Sequence, residues 1–542
     1  MATIRLRPWQ RRALDRLAAT DRPDFLAVAT PGAGKTTFAL TAAAQALAAA
    51  RVERVIVVAP TQHLKHQWAA AADRLGLHLE PEWSARDGSL PADLHGIVTT
   101  YQQVASSARA LRTLTDSAFV ILDELHHAGD DRVWGESVLE AFTPATQRLA
   151  LSGTPFRSDT SSIPFVDYHL DEARPDFEYG YGDALADGGV VRPVYFPRVG
   201  GHMEWVDHAG DVMAAAFDDE LDHQRANQRL RTALSLEGDW LRSVLVDANG
   251  RLQEIRRHHP DAAGLVIAID QAHANGIAAV LRRACGVDAT VAVSDDPDAS
   301  AKIARFATGT APWIVAVRMV SEGVDIPRLR VGVFATNTTT ELFFRQAVGR
   351  LVRWTRGLRS QRAFLFIPDD PRLRRWAGGI AEQRRHSRAR RNGGSDDPLG
   401  DGSAFDDPDR LAPGDDDTEQ LSLFSVISAV AHDHEVTSVF DLDDGDWAPE
   451  DVDDETLEVR IELPAAKRHP DQGSHLSARQ RRAQLRKHNA DAVAELVRFT
   501  PLDHRQVNAE LNRLAGIAKV SEATSEQLQR RLDAANKWLR RR

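Results

Sequence analysis

The sequence predicts an α/β protein: two successive lobes on mainly parallel sheets, then an acidic flexible linker and a small basic helical C-terminal domain. Three observations carry that prediction. The 542 residues exceed one compact core, and at about 150 residues per domain they suggest roughly three or four. Short β-branched runs alternate with longer alanine- and leucine-rich stretches, the pattern of βα units. That alternation occurs twice, with a lapse between.

The first series places buried strands at 26–29, 55–59, 97–99 and 119–122, with helices at 37–50 and 64–75. It defines a first lobe over 1–165. A connecting segment follows over 166–262, with helix-like leucine spacing across 221–255 and an entry to the next lobe at 183–195. The second series has strands at 265–269, 290–293, 313–317, 331–335 and 363–367, giving a second lobe over 263–370 and a cleft between the two. Beyond it lie a basic segment (371–391), an acidic Gly/Asp/Pro/Ser-rich linker (392–420) and a module of uncertain nature with an acidic loop (421–465). The basic helical domain spans 466–542. There Val507, Leu511 and Leu514 recur at i, i+4, i+7 with Gly516 as a stop. Thr524 and Gln527 suggest a capping box before Leu528, Leu532 and Leu539.

Composition narrows the class. Hydrophobic residues at 43% and charged residues at 27% are globular values. The single cysteine, Cys285, leaves no disulfide framework and no cysteine-based zinc module. Residues 1–10 carry no secretory signal, and the longest apolar stretch, 39–50, falls short of the roughly 18 residues a membrane span needs. A soluble cytoplasmic protein is expected. The net charge of −11 is unevenly spread: 396–419 and 441–455 each carry −9, and the rest of the chain is +7. Eight arginines against one acid fill 371–391, and 467–542 has 17 bases against 8 acids. Bulk charge therefore does not exclude a polyanion partner, and its segregation favours one.

The strongest chemical signal is Ala29-Thr-Pro-Gly-Ala-Gly-Lys-Thr-Thr37, after a strand and opening a helix. In Thr30, Pro31, Gly32, Ala33 and Gly34 the glycines let backbone N–H groups converge on phosphate oxygens, helped by the helix N-terminus. Lys35 would neutralise the outer phosphates and the Thr36 hydroxyl would ligate Mg2+, with Thr37 completing the loop. Val120-Ile-Leu-Asp-Glu-Leu-His-His127 puts two acids at a strand's C-terminal edge, where parallel sheets meet ligands. Asp123 suits the magnesium shell, and Glu124 suits orienting and deprotonating the attacking water. His126 and His127 suggest a metal pair as the alternative, although adjacent residues present two ligands to one ion poorly. In Phe344-Arg-Gln-Ala-Val-Gly-Arg-Leu-Val-Arg353, Arg350 and Arg353 stand three apart on a predicted helix, hence on one face. They suit an arginine that reaches the γ-phosphate when the cleft shuts; the alternative is a solvated basic face.

Together these strings resemble the superfamily-two helicases and translocases, closest to the DExH branch of XPB-like and RadD-like helicases and the ResIII-type motors of restriction enzymes. The resemblance spans 6–367 and implies two tandem RecA-like lobes using ATP and Mg2+. Leu6-Arg-Pro-Trp-Gln10 resembles the adenine-contacting motif, which implies base recognition by Arg7 and Gln10. Residues 59–68 and 98–102 resemble motifs that hold the nucleic-acid backbone, implying strand contacts by Thr61, Thr99 and Thr100. In the family the DExH histidine, here His126, engages the glutamine of the arginine motif, here Gln346. Leu151-Ser-Gly-Thr-Pro-Phe-Arg157 resembles the motif that couples hydrolysis to duplex work through Ser152 and Thr154. Residues 318–327 resemble the motif in which Gly323 and Asp325 contact nucleotide and Ser321 approaches the strand.

One departure stands out: with Cys285 alone, the zinc module of RadD-like relatives cannot exist here. No nuclease constellation is evident either. The expected function is an ATP-dependent DNA helicase or translocase, with DNA (single-stranded or at a junction) and proteins of a repair or defence complex as partners. A nucleotide-gated DNA-binding switch is the rival, and an RNA helicase is the third reading. Arg479, Arg481, Arg482, Arg486 and Lys487 form a second candidate phosphate-binding surface.

Overall fold

The computed structural model describes residues 2–540 apart from 86–89, 92, 126–131, 154–162, 170–171, 208–209, 294–295, 297, 318–325, 356, 359–360, 392–424, 432–456 and 462–477. Both expected α/β lobes are present. In the first, the sheet order is Phe177–Tyr179, Asp24–Ala29, Gln147–Ser152, Ala118–Asp123, Arg54–Ala59, Gly96–Thr100, Leu79–Glu80, with every pair parallel. The central strands are short Val/Ile/Leu/Ala runs because helices cover both faces and bury nearly all of their side chains. In the second, the order is Val194–Tyr195, Ala363–Pro368, Leu329–Ala335, Ala263–Ala268, Trp313–Ala316, Ala289–Ala292, again all parallel.

The connecting segment is less of a connector than its sequence suggested. Phe177–Tyr179 is an edge strand of the first sheet, and Val194–Tyr195 and Arg198–Val199 both pair with Ala363–Pro368 of the second. Between them, Gly201–Val206 and Val212–Ala216 form a hairpin that packs Met203, Trp205 and Ala215 on the helices His223–Ala233 and Asp239–Arg256.

The segment read as a module of its own is divided between two partners. Ser425–Ala431 joins that hairpin as a third antiparallel strand, and Leu457–Ile461 pairs antiparallel with Ala2–Leu6 at the start of the chain. The C-terminal residues form three helices, Ala478–Phe499, His504–Ala515 and Ser525–Arg540. Val507 and Leu511 enter their core, but Leu514 is 52% exposed and Ala515 takes the inward position. Gly516 caps the middle helix in the left-handed region, and Thr524 and Gln527 make the expected reciprocal capping bonds. The bundle docks on the edge of the first sheet, where Asp93 accepts from the Ser525 hydroxyl at 2.7 Å and pairs with Arg482 at 3.2 Å. No described helix is long and apolar enough to cross a membrane.

Candidate active site

Strand Asp24–Ala29 delivers residues 30–34 to the C-terminal edge of the first sheet, and helix Lys35–Ala48 begins there. Gly32 (φ +87°) and Gly34 (φ +96°) occupy the left-handed region, which a side chain would strain. The loop is pinned by Thr30 N donating to Tyr179 O (2.9 Å) and Ala33 N to Thr30 O (3.1 Å). Beside it, Lys35 Nζ meets Glu124 Oε1 at 2.6 Å, and Glu124 Oε2 accepts from Gly153 N at 2.9 Å. Glu124 has φ +46°, a sparsely populated region for a non-glycine residue that recurs at functional sites. Asp123 ends strand Ala118–Asp123. Its Oδ2 accepts from Trp68 Nε1 at 2.7 Å, and its main-chain carbonyl accepts from the Tyr101 hydroxyl at 3.0 Å. Burial, then Asp123 and Glu124, pushes the Tyr101 phenol well above its usual range, so it stays a donor.

The N-terminal motif wraps this loop. Arg7 Nη1 donates to Ala33 O (3.2 Å), Trp9 Nε1 to Ala33 O (3.1 Å) and Gln10 Nε2 to Gly34 O (2.9 Å). Trp9 stacks on Tyr179 at 5.0 Å. Arg7 and Gln10, expected at a base, here hold loop carbonyls.

The second lobe reaches the same loop. A methyl group at Gly349, in helix Glu341–Leu351, would come within 2.6 Å of Pro31 Cγ; one at Gly32 would lie 3.1 Å from Arg353 Cδ and 3.2 Å from its Nη1. Glycine at 349 is therefore what lets the lobes approach. The expectation that Arg350 and Arg353 share a helical face is corrected: the helix ends at Leu351, Val352 caps it, and Arg353 bridges to Val191 in extended pairing. Arg350 and Gln346 remain on the helix, half-buried. Arg192, fully buried, holds this stretch by donating its amide to Val352 O (2.8 Å) and its guanidinium to Pro327 and Leu329 carbonyls. Burial lowers its pKa well below the usual arginine value.

The proposed strand contacts fare differently. The Thr61 and Thr100 hydroxyls accept from Leu64 N (3.3 Å) and Gln103 N (3.2 Å) as helix N-caps, and Thr99 donates to Gln103 Oε1 (3.3 Å). Thr99 and Thr100 are only 2% exposed, so their hydroxyls are turned inward; the helices Gln62–Arg74 and Tyr101–Thr115 begin at the loop's edge of the sheet. Ser152 is fully buried at its strand's end. His126, His127, Thr154, Ser321, Gly323 and Asp325 lie outside the described residues. The basic surfaces shrink as well. Arg482 is buried against Asp93 and the Ser521 carbonyl, which Arg486 shares, and Lys487 stays exposed. In helix Pro371–Arg391, Arg372 pairs with Asp370, Arg374 with Asp218 and Asp369, and Arg384 donates to Val194 O beneath Tyr195.

Sequence reasoning passed over Trp68, Tyr101, Gly153 and Arg192. The first three lie inside strings it quoted, so proximity to those strings was the available signal; nothing local marks Arg192.

Residues 3–157 match the family model described as type III restriction enzyme, res subunit (ResIII). An uncharacterized protein of Mycobacterium tuberculosis (strain H37Rv) is 40% identical over 556 residues, covering 98% of this chain and 92% of the relative. One from Mycobacterium leprae is 39% identical over 557 residues, covering 98% and 93%. Among solved structures, a fragment of a putative HsdR subunit of a type I restriction enzyme from Vibrio vulnificus YJ016 aligns with TM-score 0.47 and 19% identity. That alignment covers 68% of this chain, which spans 65% of the fragment.

Proposed function

This chain belongs to one family with these mycobacterial proteins, and from that premise, with the ResIII match over residues 3–157, we propose that it is a superfamily-two motor, an ATP-hydrolysing DNA translocase or helicase. The observation that carries the reading is the meeting of both lobes at one loop. Pro31 and Gly32 on the first face Gly349 and Arg353 on the second.

Incoming phosphates compete with Glu124 for Lys35, since both are anionic and the lysine is a point charge that either can satisfy. Glu124, released from the lysine but still held by Gly153 N, is then placed to orient the attacking water and take its proton. Asp123 and Thr36 are oxygen donors of the kind Mg2+ takes beside nucleotide phosphates, and the ion would offset charge on the outer phosphates. Arg353, which lies along the loop, would meet charge developing on the transferred phosphoryl group. Its hold on that group ties lobe closure to the nucleotide state, and loss of phosphate releases the closure. The two helix N-termini at the same edge would grip a strand's phosphates without reading its sequence. Binding should therefore weaken as salt rises. The protein would act in the cytoplasm.

The deciding experiment measures phosphate release with single-stranded, duplex and forked DNA and with RNA at two salt concentrations, alongside triplex displacement. DNA stimulation with displacement supports the motor; clamping without displacement leaves a nucleotide-gated switch; stimulation by RNA alone overturns the DNA assignment.

A further inference from the structure

The helices Gln62–Arg74 and Tyr101–Thr115 begin where a strand would be gripped, and each sends one aromatic donor back to the same residue. Trp68 donates its indole N–H to Asp123 Oδ2, and Tyr101 donates its hydroxyl to the Asp123 carbonyl. A buried indole has to find some acceptor, so a hydrogen bond alone means little. The choice of acceptor means more. Trp9, Trp205, Trp240, Trp313 and Trp376 all donate to neutral carbonyl oxygens. Trp68, 2% exposed, instead takes a carboxylate that is itself 7% exposed. Such a bond is charge-assisted, and removing the donor weakens the hold on a buried anion. Tyr101 is fixed by an independent contact, stacking on Trp134 at 6.4 Å with the rings 6° from parallel.

We propose that Trp68 and Tyr101 are positioning residues that couple strand binding to the nucleotide site through Asp123, the candidate magnesium ligand. The inference rests on the reading above, in which the cleft binds nucleotide and the two helix N-termini hold a strand. A strand engaging either helix biases it as a rigid unit. The donors pass that bias to Asp123 from two directions: to its carboxylate through Trp68, to its backbone through Tyr101. Glu124, the next residue, is tied in turn to Lys35 and Gly153, so it shares the displacement. One residue that answers to two strand-facing helices responds most when both are engaged. Coupling of this kind is reciprocal: nucleotide must tighten strand binding by the factor by which strand tightens nucleotide.

The test uses the full-length protein with Trp68→Phe and Tyr101→Phe. Anisotropy of labelled single-stranded DNA, with and without a non-hydrolysable ATP analogue and Mg2+, gives two dissociation constants whose ratio is the coupling factor. The ratio of DNA-stimulated to unstimulated turnover and the melting temperature are read alongside. Trp68→Phe should cut the coupling factor about tenfold and Tyr101→Phe about fivefold, as expected for a charge-assisted and a neutral bond. Tyr101→Phe keeps ring and volume, so it decides the matter if Trp68→Phe fails to fold. A coupling factor unchanged from wild type, with only the melting temperature lowered, overturns the inference and leaves both bonds structural. A wild-type protein with no coupling and no stimulation overturns the underlying functional reading instead.

Discussion

The loop edge of the first lobe and the C-terminal bundle each hold a cation away from water, and they hold it in opposite ways. Lys35 has one anionic partner, Glu124 at 2.6 Å, at a site still partly open to solvent. Arg531, 1% exposed, is held by three neutral side chains: Asn512 Oδ1 (2.9 Å), Asn489 Oδ1 (2.9 Å) and Asn508 Oδ1 (2.5 Å). The first arrangement can be exchanged, because another anion can take the place of Glu124. The second cannot, because each of its three nitrogens is engaged by a dipole from one of the two other helices, and burial lowers the arginine's pKa. Counting basic residues treats the two alike; what separates chemistry from architecture is whether the partner can be replaced.

The largest effects should come from the exchangeable side. Glu124→Gln should lower turnover by about 10³-fold while nucleotide affinity holds or rises, since Lys35 loses its competing carboxylate. Lys35→Ala should abolish hydrolysis and weaken binding as well. Phosphate release together with equilibrium nucleotide binding distinguishes the two, and ordinary turnover in Glu124→Gln would contradict its role as base.

Next comes the approach of the lobes. Gly349→Ala forces a methyl group against Pro31 and leaves every reactive group in place. Misplacement on this scale costs about 10²-fold in rate, and it should appear in kcat rather than in nucleotide affinity. Arg353→Ala should likewise cost hydrolysis more than binding; equal losses would make Arg353 a structural contact.

On the locked side, Arg531→Met should cost about 2–3 kcal/mol of stability, because three amide oxygens lose their donor, that of Asn489 in a fully buried position. Denaturant unfolding measures it. Arg531→Lys keeps the charge but lacks the planar fork that reaches three acceptors, so it should rescue little. If either substitution altered nucleotide hydrolysis as strongly as Lys35→Ala, the contrast between the two cations would fail.

How much of this could be read from the sequence follows from the distance between partners. Thr30 to Thr37 and the pair Asp123-Glu124 are contiguous, so their chemistry is written in one string, and the buried strands announce themselves by β-branched runs. Arg482 read as a candidate phosphate contact, and Arg531 as one base among the 17 of the tail, because Asp93 and the three asparagines are separated from them along the chain or carry no charge. Ser425–Ala431 and Leu457–Ile461 pair with strands more than 200 residues earlier, and no local pattern encodes such a partner. Leu514 failed by one residue of helical phase: spacing put it on the apolar face, yet the smaller Ala515 fits inside.

The smallest predicted effect concerns a group held neutral. His273, in the first turn of helix Gln271–Cys285, accepts from Ile269 N at Nδ1 (3.2 Å), which leaves Nε2 to donate to Leu234 O (2.9 Å). That bond ties the connecting segment to the second lobe. Burial is the main cause of its lowered pKa, with the Leu234 contact and Asp270 opposing. A folded state that takes up the proton less readily than the unfolded chain loses stability on acidification. The contribution is complete above the unfolded value of about 6.5 and declines as pH falls below it, by at most about 1.4 kcal/mol per pH unit. Urea unfolding at pH 7.5 and 5.5 should therefore show the unit containing His273 weakened at the lower pH, with the slope flattened in His273→Gln. An unchanged slope in that variant would mean that another group governs the acid response. The locked side of the comparison would then extend to Arg531 but not to His273.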